Sequence, residues 1–349
     1  MKKLLSFFIV IAVVLTVNAQ ELSHVVILAT GGTIAGAAPT EVQSGYQSGQ
    51  VGVEILINAV PQLSEIAIVT GEQISNIGSQ DMSDEVWLKL AKRCNELLAL
   101  DDVDGIVITH GTDTMEETAY FLNLVLKSKK PVVLTCSMRP STALSADGPL
   151  NIFNAVAVAG SQESWDRGVM VVANDLIHSA RAVVKSNTTA VETFISPFVG
   201  PLGTVNYGEI NYFDYPDKKF TYQTPFNVDN VTSLPRVDVI AMYEDAPGDL
   251  IKASVDFGSK GIVTSGLGNG NMPKACVEAC EYAVDKDVVV VRAARVLTGF
   301  VGRDIELDDD ALGFVASYEL IPSKARVLLR LALLTTNDPV KIQEYFEEY

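Results

Sequence analysis

Two glycine-bearing loops in this chain present hydroxyl and carboxylate groups at spacings that suit acyl transfer. The first is "LATGGTIAG", Leu28 to Gly36, an apolar run followed by two glycines and Thr33. Glycine permits tight turning and close backbone approach, so Thr30 and Thr33 stand exposed to chemistry at the end of a strand-like run. The loop lacks the G-x-G-x-x-G spacing of a dinucleotide fingerprint and the Lys-Ser/Thr of a phosphate-binding loop. By itself it reads equally as a threonine reagent or as a turn whose threonine only caps a helix. The second loop is "HGTDTMEE", His110 to Glu117, where Thr112, Asp113 and Thr114 precede a helical pattern. Aspartate and threonine are good helix caps, and one of the three is expected to cap. The others are left over: an aspartate that could receive a substrate ammonium, and a hydroxyl that could reach a reacting carbonyl.

Further polar groups lie in "NIGSQDMSDE" (76–85) and "SARAVVKSNTT" (179–189). Ser83 directly precedes "DEVWLKLAKR" and is the expected cap, which leaves Ser79 and Gln80 for hydrogen bonding. Lys185, taken alone, reads as a solvated lysine. No G-x-S-x-G elbow occurs, and the histidines are His24, His110 and His178. His110 follows an apolar run, where a structural, tautomer-fixed role suits it. A nucleophilic threonine then needs another base: a lysine, a tyrosine or a carboxylate tuned by burial or neighbours. No Cys/His cluster has metal-ligand spacing, so no metal is expected.

These loops must be held by the elements around them. Apolar runs at 24–30, 104–113, 130–137, 167–175, 237–243, 261–266 and 287–295 read as strands. Helical patterns fall at 115–127, 151–160, 273–284 and 323–336. Strand and helix in alternation imply a mostly parallel sheet, and ligands of such sheets bind beyond the carboxyl ends of the strands. From Gly200 to Pro235 no apolar period persists, and the stretch reads as an extended, aromatic-rich connection. The expected fold is two α/β domains. The larger, N-terminal one (20–215) has a mostly parallel sheet flanked by helices. A linker (216–235) leads to a smaller C-terminal parallel-sheet domain (236–349).

The totals agree with a globular protein of two domains: 349 residues, 48% hydrophobic and 20% charged. A net charge of −17 repels nucleic acid and anionic membrane surfaces. Lys2 and Lys3, the apolar run Leu4 to Val17, and "VNA" before Gln20 fit a cleavable signal peptide over residues 1–19. The run is shorter than the ~20 residues of a spanning helix, which favours cleavage over a retained anchor, with no membrane attachment afterwards. Cys94, Cys136, Cys276 and Cys280 read as buried free thiols rather than a disulfide framework.

The motifs "ATGGTIAG" (29–36) and "GIVITHGTDTMEETA" (105–119) resemble the two signatures of the bacterial asparaginase/glutaminase family. "GEQISNIGSQDMSDEVWLKLAK" (71–92), "MRPSTALSADGPLN" (138–151), "GLGNGN" (266–271) and "KARVLLRLAL" (324–333) also resemble it, in order along nearly the whole chain. With the leader, the resemblance points to the exported, type II group, in the periplasm. It implies hydrolysis of L-asparagine to L-aspartate and ammonia through an acyl-enzyme, without metal or organic cofactor. It implies Thr33 as nucleophile and Tyr46 as a lid tyrosine that helps activate it. Glu306 is implied as a carboxylate contacting that tyrosine and the substrate ammonium. Thr112, Asp113 and Lys185 match the second hydroxyl–carboxylate–lysine cluster. Ser79 matches a contact to the substrate α-carboxylate, with Gln80 adjacent and Asp113 on the α-amino group. Asn271 matches a residue that completes the site from a neighbouring subunit of a homotetramer. Some exported relatives carry a disulfide between the helix near Cys94 and the segment before "KPVV", where this chain has Ser128, which argues against that bridge. Three other readings stand beside this one: a glutaminase-asparaginase that takes L-glutamine comparably, a non-catalytic periplasmic amino-acid-binding protein, and a cytoplasmic amidotransferase subunit. Export and net charge disfavour the last.

Overall fold

The computed structural model describes residues 22–36 and 52–349. The proposed leader and the lid tyrosine Tyr46 lie outside the described residues. The larger sheet is built from β1 (Ser23–Gly31), β2 (Ala67–Ile77), β3 (Gly105–Thr109), β4 (Val132–Thr135), β5 (Val169–Ala173), β6 (Leu176–Ser179), β9 (Gly203–Asn206) and β10 (Glu209–Tyr212). A separate two-stranded ribbon pairs β7 (Val184–Lys185) with β8 (Phe194–Ile195). The smaller sheet holds β11 (Val237–Ala241), β12 (Gly261–Gly266), β13 (Val289–Ala294) and β14 (Phe314–Ala316).

The larger sheet runs β10-β9-β6-β5-β4-β3-β1-β2. β2, β1, β3, β4 and β5 are parallel, and β6, β9 and β10 add antiparallel strands at one edge. The chain leaves β1 to one side, then crosses back to place β3 on the other. The order 2-1-3-4-5 therefore puts a topological switch point between β1 and β3, where the two exit loops diverge and leave a crevice. The loops beyond those two strands are "TGGT" and "HGTD". The smaller sheet, β11-β12-β13-β14, is all parallel and advances in one direction, so it has no such point.

Helices α1 (Val53–Asn58), α2 (Leu63–Ile66) and α5 (Gly148–Gly160) cover one face of the larger sheet. Between the two sheets lie α3 (Asp84–Leu98), α4 (Met115–Val125), α9 (Pro322–Ala332) and α10 (Pro339–Glu348). They share one continuous core with both sheets, from Leu28 and Ile108 through Tyr120 and Leu124 to Val263 and Leu329. Trp87 of α3 stacks on Phe121 of α4 at 4.8 Å and donates its indole N–H to Thr118 Oγ1. The outer face of the smaller sheet is covered by α6 (Asp249–Asp256) and α7 (Lys274–Val284), and the short α8 (Asp309–Leu312) precedes β14. Because the central layer is common to both sheets, the two halves of the chain are joined by buried apolar surface, the dominant favourable term in folding.

Several sequence expectations change in detail. β2 gave no strand signal: its burial follows no period of two, because one edge of the sheet lies open. The stretch after Gly200 is not wholly irregular, since it contains the β9–β10 hairpin, turned at Tyr207 (φ 47°) and Gly208 (φ 84°). Two consecutive positive-φ residues make the turn that matches strand twist, and the strands are short and half-exposed, so no apolar run marks them. All four cysteines are buried and free, as composition suggested.

Candidate active site

Three strand exits meet at the switch point, and glycines let them touch. Gly31 (φ 114°) and Gly32 (φ 82°) occupy left-handed conformations that few other residues tolerate. A Cβ on Gly32 would lie 2.4 Å from both Cα and N of Gly111, and one on Gly31 would lie 2.4 Å from the carbonyl oxygen of Ile77. A Cβ on Gly111 would stand 2.5 Å from Ser79 Oγ. The exits of β1, β3 and β2 are therefore packed backbone to backbone. The β1–β2 ladder shifts register between Ala29 and Gly31. Side chains take over there: Gln73 Nε2 donates to Ala29 O at 3.2 Å, Ser75 Oγ to Thr30 O at 2.9 Å, and Thr30 Oγ1 to Thr109 O at 2.9 Å. Gly32→Ala combines left-handed strain with a backbone collision. It is expected to cost about 3 kcal/mol or more, read as a lowered urea midpoint.

Thr33 begins a single 3₁₀ turn, Thr33–Ala35, and is 4% exposed. The N–H of Gly32 is held by Ile77 O at 2.9 Å, so this glycine amide is not a free donor. By contrast, the N–H of Thr112 makes no hydrogen bond among the described residues.

Lys185, at the end of β7, supplies the central link. Its ammonium donates to Thr112 Oγ1 at 2.9 Å and to Asp113 Oδ1 at 2.7 Å. Because Thr112 Oγ1 accepts from the ammonium, its own proton can point elsewhere. Ser79 joins the same cluster: its Oγ accepts the N–H of Asp113 at 3.1 Å, and its carbonyl accepts Thr114 Oγ1 at 2.8 Å. Thr114, one of the three cap candidates, stands at the N-cap of α4 without capping it through its side chain, and its hydroxyl fastens loop to loop instead. Ser83 does cap α3, accepting from Val86 N at 3.4 Å. The Asp113 side chain is 56% exposed while that of Lys185 is 18% exposed, so the carboxylate faces open space and the lysine backs it.

His110 is fully buried, with Nδ1 2.7 Å from Gly111 O. A carbonyl only accepts, which assigns the proton to Nδ1. Burial pushes His110 down to about 4, and likewise His178. Unfolded, both would take a proton near 6.5. Their contribution to stability is therefore present above pH 6.5 and lost as pH falls toward 4, on the order of 3 kcal/mol each. Thermal unfolding across that window should show the decline, with a shallower slope in His178→Gln.

The remaining sequence candidates make other hydrogen bonds. Gln80 is exposed and donates to Asp81 Oδ2 at 3.2 Å. Asn271 Nδ2 donates to Glu306 Oε2 at 2.7 Å, at the exit side of the smaller sheet. Among the described residues, no hydrogen bond joins either to Thr112, Asp113 or Lys185. Their loops are clamped by Arg292, whose guanidinium pairs with Asp309 at 2.5 and 2.6 Å and donates to the carbonyls of Asn269, Gly270 and Gly302. Both partners of that ion pair are buried. Sequence reading missed Arg292, although a charge inside the apolar run "DVVVVRAAR" was a usable signal. It also missed Glu116, whose Oε2 accepts the N–H of Lys185 at 2.7 Å.

The chain matches the family model "Asparaginase, N-terminal" over residues 24–218 and "Glutaminase/Asparaginase C-terminal domain" over 236–346. A probable periplasmic L-asparaginase of Haemophilus influenzae is 53% identical over 332 residues, 95% of each chain. L-asparaginase 2 of Escherichia coli is 52% identical over 331 residues, 95% of this chain and 94% of that one. A glutaminase-asparaginase of Pseudomonas fluorescens biotype A is 46% identical, covering 94% and 91%. The crystal structure of a probable cytoplasmic L-asparaginase from Campylobacter jejuni superposes with a TM-score of 0.91 at 48% identity, covering 94% of this chain and all of that one. With its two sheets, its switch-point loops and both halves matched, the chain belongs to the asparaginase/glutaminase family.

Proposed function

We propose that this protein hydrolyses L-asparagine to L-aspartate and ammonia through an acyl-enzyme on Thr33. One observation carries the reading: the Lys185 ammonium holds both the Thr112 hydroxyl and the Asp113 carboxylate, in a loop whose Gly111 packs on Gly32 beside Thr33. In the first half-reaction Thr33 Oγ attacks the side-chain amide carbon, its proton passing to the departing nitrogen with help from Tyr46. The C–N bond breaks and ammonia leaves. In the second, water attacks the ester and Thr33 regains its proton. The N–H of Thr112, which has no hydrogen-bond partner among the described residues, suits a developing oxyanion, since fixed donors act most strongly there. Thr112, its proton directed outward by Lys185, would help deliver the water. A zwitterionic substrate needs an acceptor for its ammonium and donors for its carboxylate. Asp113 and Ser79, with Gln80 adjacent, supply them on one rim.

Among the described residues Asn271 and Glu306 bond to each other and not to this cluster, which supports a site completed by a second copy of the chain, as in a homotetramer. There Glu306 would reach the substrate ammonium and the lid tyrosine, and Asn271 would close the site. Light scattering should return the mass of four chains. The leader supports export to the periplasm, as does the periplasmic designation of the Haemophilus relative. An ammonia-release assay tests the activity. One methylene separates the two amides and is worth about 1–3 kcal/mol in a fitted pocket. We therefore expect kcat/KM for asparagine to exceed that for glutamine roughly 10- to 200-fold. Equal values would make this a glutaminase-asparaginase, and binding without turnover would leave a binding protein.

A further inference from the structure

Lys185 sits on a strand of two residues, paired among the described residues with the equally short β8 alone, so the ladder by itself does not fix it. Part of the hold comes from Glu116, which accepts the Lys185 N–H through Oε2 and Ser323 Oγ, at 3.3 Å, through Oε1. The rest comes from the next residue of α9. Lys324 is 1% exposed, and its ammonium donates to the carbonyls of Ala180 at 2.8 Å, Arg181 at 2.8 Å and Val183 at 2.6 Å. Every proton of the group is given to the turn that ends two residues before Lys185.

This arrangement is hard to explain as a stabilising device. Lys324 is the third residue of α9, and a cation in the first turn opposes the helix dipole. Burying an ammonium costs several kcal/mol. Burial pushes Lys324 down to about 7, whereas the three carbonyls oppose that shift, because only the charged form has three protons. Glu116, Glu117, Arg181 and the Tyr120 ring, 5.9 Å away, face it.

We propose that Lys324 is a positioning residue: it clamps the 180–183 turn so that Lys185 meets Thr112 and Asp113, and α9 thereby sets the geometry of the reacting centre. The inference rests on the reading of Lys185 given above. In full-length protein assayed for ammonia release well below its melting temperature, Lys324→Met should lower kcat roughly 10- to 100-fold, the scale of a misplacement near 1 Å. KM should stay within about threefold. Because Met leaves three carbonyls unpaired, Lys324→Gln, which keeps two N–H donors, should be measured beside it and should show an intermediate kcat. In a Lys185→Met background the Lys324 changes should add less than about a further twofold, since the two residues act as one unit. Losses that multiply in the double variant would overturn the clamp, as would a KM that rises in step with the fall in kcat, or wild-type kcat in folded Lys324→Gln. A fully active Lys185→Met would instead remove the reading on which the clamp depends.

Discussion

Thr33→Ala is expected to reduce ammonia release from L-asparagine by at least about 10³-fold, with the fold retained. Removing a nucleophile removes the covalent route, and what remains is the modest rate that binding and fixed donors supply. The fold should survive for local reasons. Thr33 opens a 3₁₀ turn at φ and ψ that alanine also adopts, and the glycines that require special conformations lie before it. The deleted hydroxyl and methyl are buried, so a loss of about 1–2 kcal/mol is anticipated, visible as a small fall in Tm. Asparagine should still bind, because its ammonium and carboxylate are proposed to be held by other residues. Thr33→Ser should restore part of the rate.

Lys185→Met is the second large effect. The substitution keeps the aliphatic stem and deletes a donor that serves two acceptors at once. Thr112 Oγ1 then loses the bond that orients its proton, and Asp113 loses its partner. General acid–base assistance contributes roughly 10²–10⁴-fold, and kcat is expected to fall within that range. Stability should change little, because the Asp113 side chain is 56% exposed and an exposed ion pair is worth about 0–1 kcal/mol. Chemical denaturation separates the outcomes: an unchanged midpoint with a reduced kcat identifies a functional lysine, and a matching loss of both identifies a structural one.

The parts of the fold that sequence exposes are those with one dominant physical signal. β1, β3, β4 and β5 are buried on both faces and read as unbroken apolar runs. The exit loops of β1 and β3 stand out because hydroxyls follow glycine there, although the first by itself reads equally as a capping turn, and these are the loops that meet at the switch point. β2 was silent because the polar residues Glu72, Gln73, Ser75 and Asn76 interrupt any apolar alternation along it. The β9–β10 hairpin was hidden by its shortness. Spacing leaves open which of Thr112, Asp113 and Thr114 caps α4, because capping is decided by side-chain direction, which spacing does not encode; Thr114 holds the N-cap position without a side-chain cap bond. Glu116 and Lys324 escaped for a common reason: each acts on backbone groups far along the chain, Glu116 across 69 residues and Lys324 across 141 to 144, and no local pattern records a contact of that range. Lys185 shows both sides. Alone it resembled any solvated lysine, and only the family resemblance, then the ion pair, distinguished it.

The most direct test of the account is intact-mass and peptide analysis of wild-type protein quenched during turnover of L-asparagine. The account predicts a transient gain of one aspartyl group, confined to the peptide containing Thr33, appearing as ammonia is released and absent from Thr33→Ala. Steady ammonia release with no adduct in the wild-type protein under trapping conditions, or an adduct that maps to Thr112 instead, would contradict it.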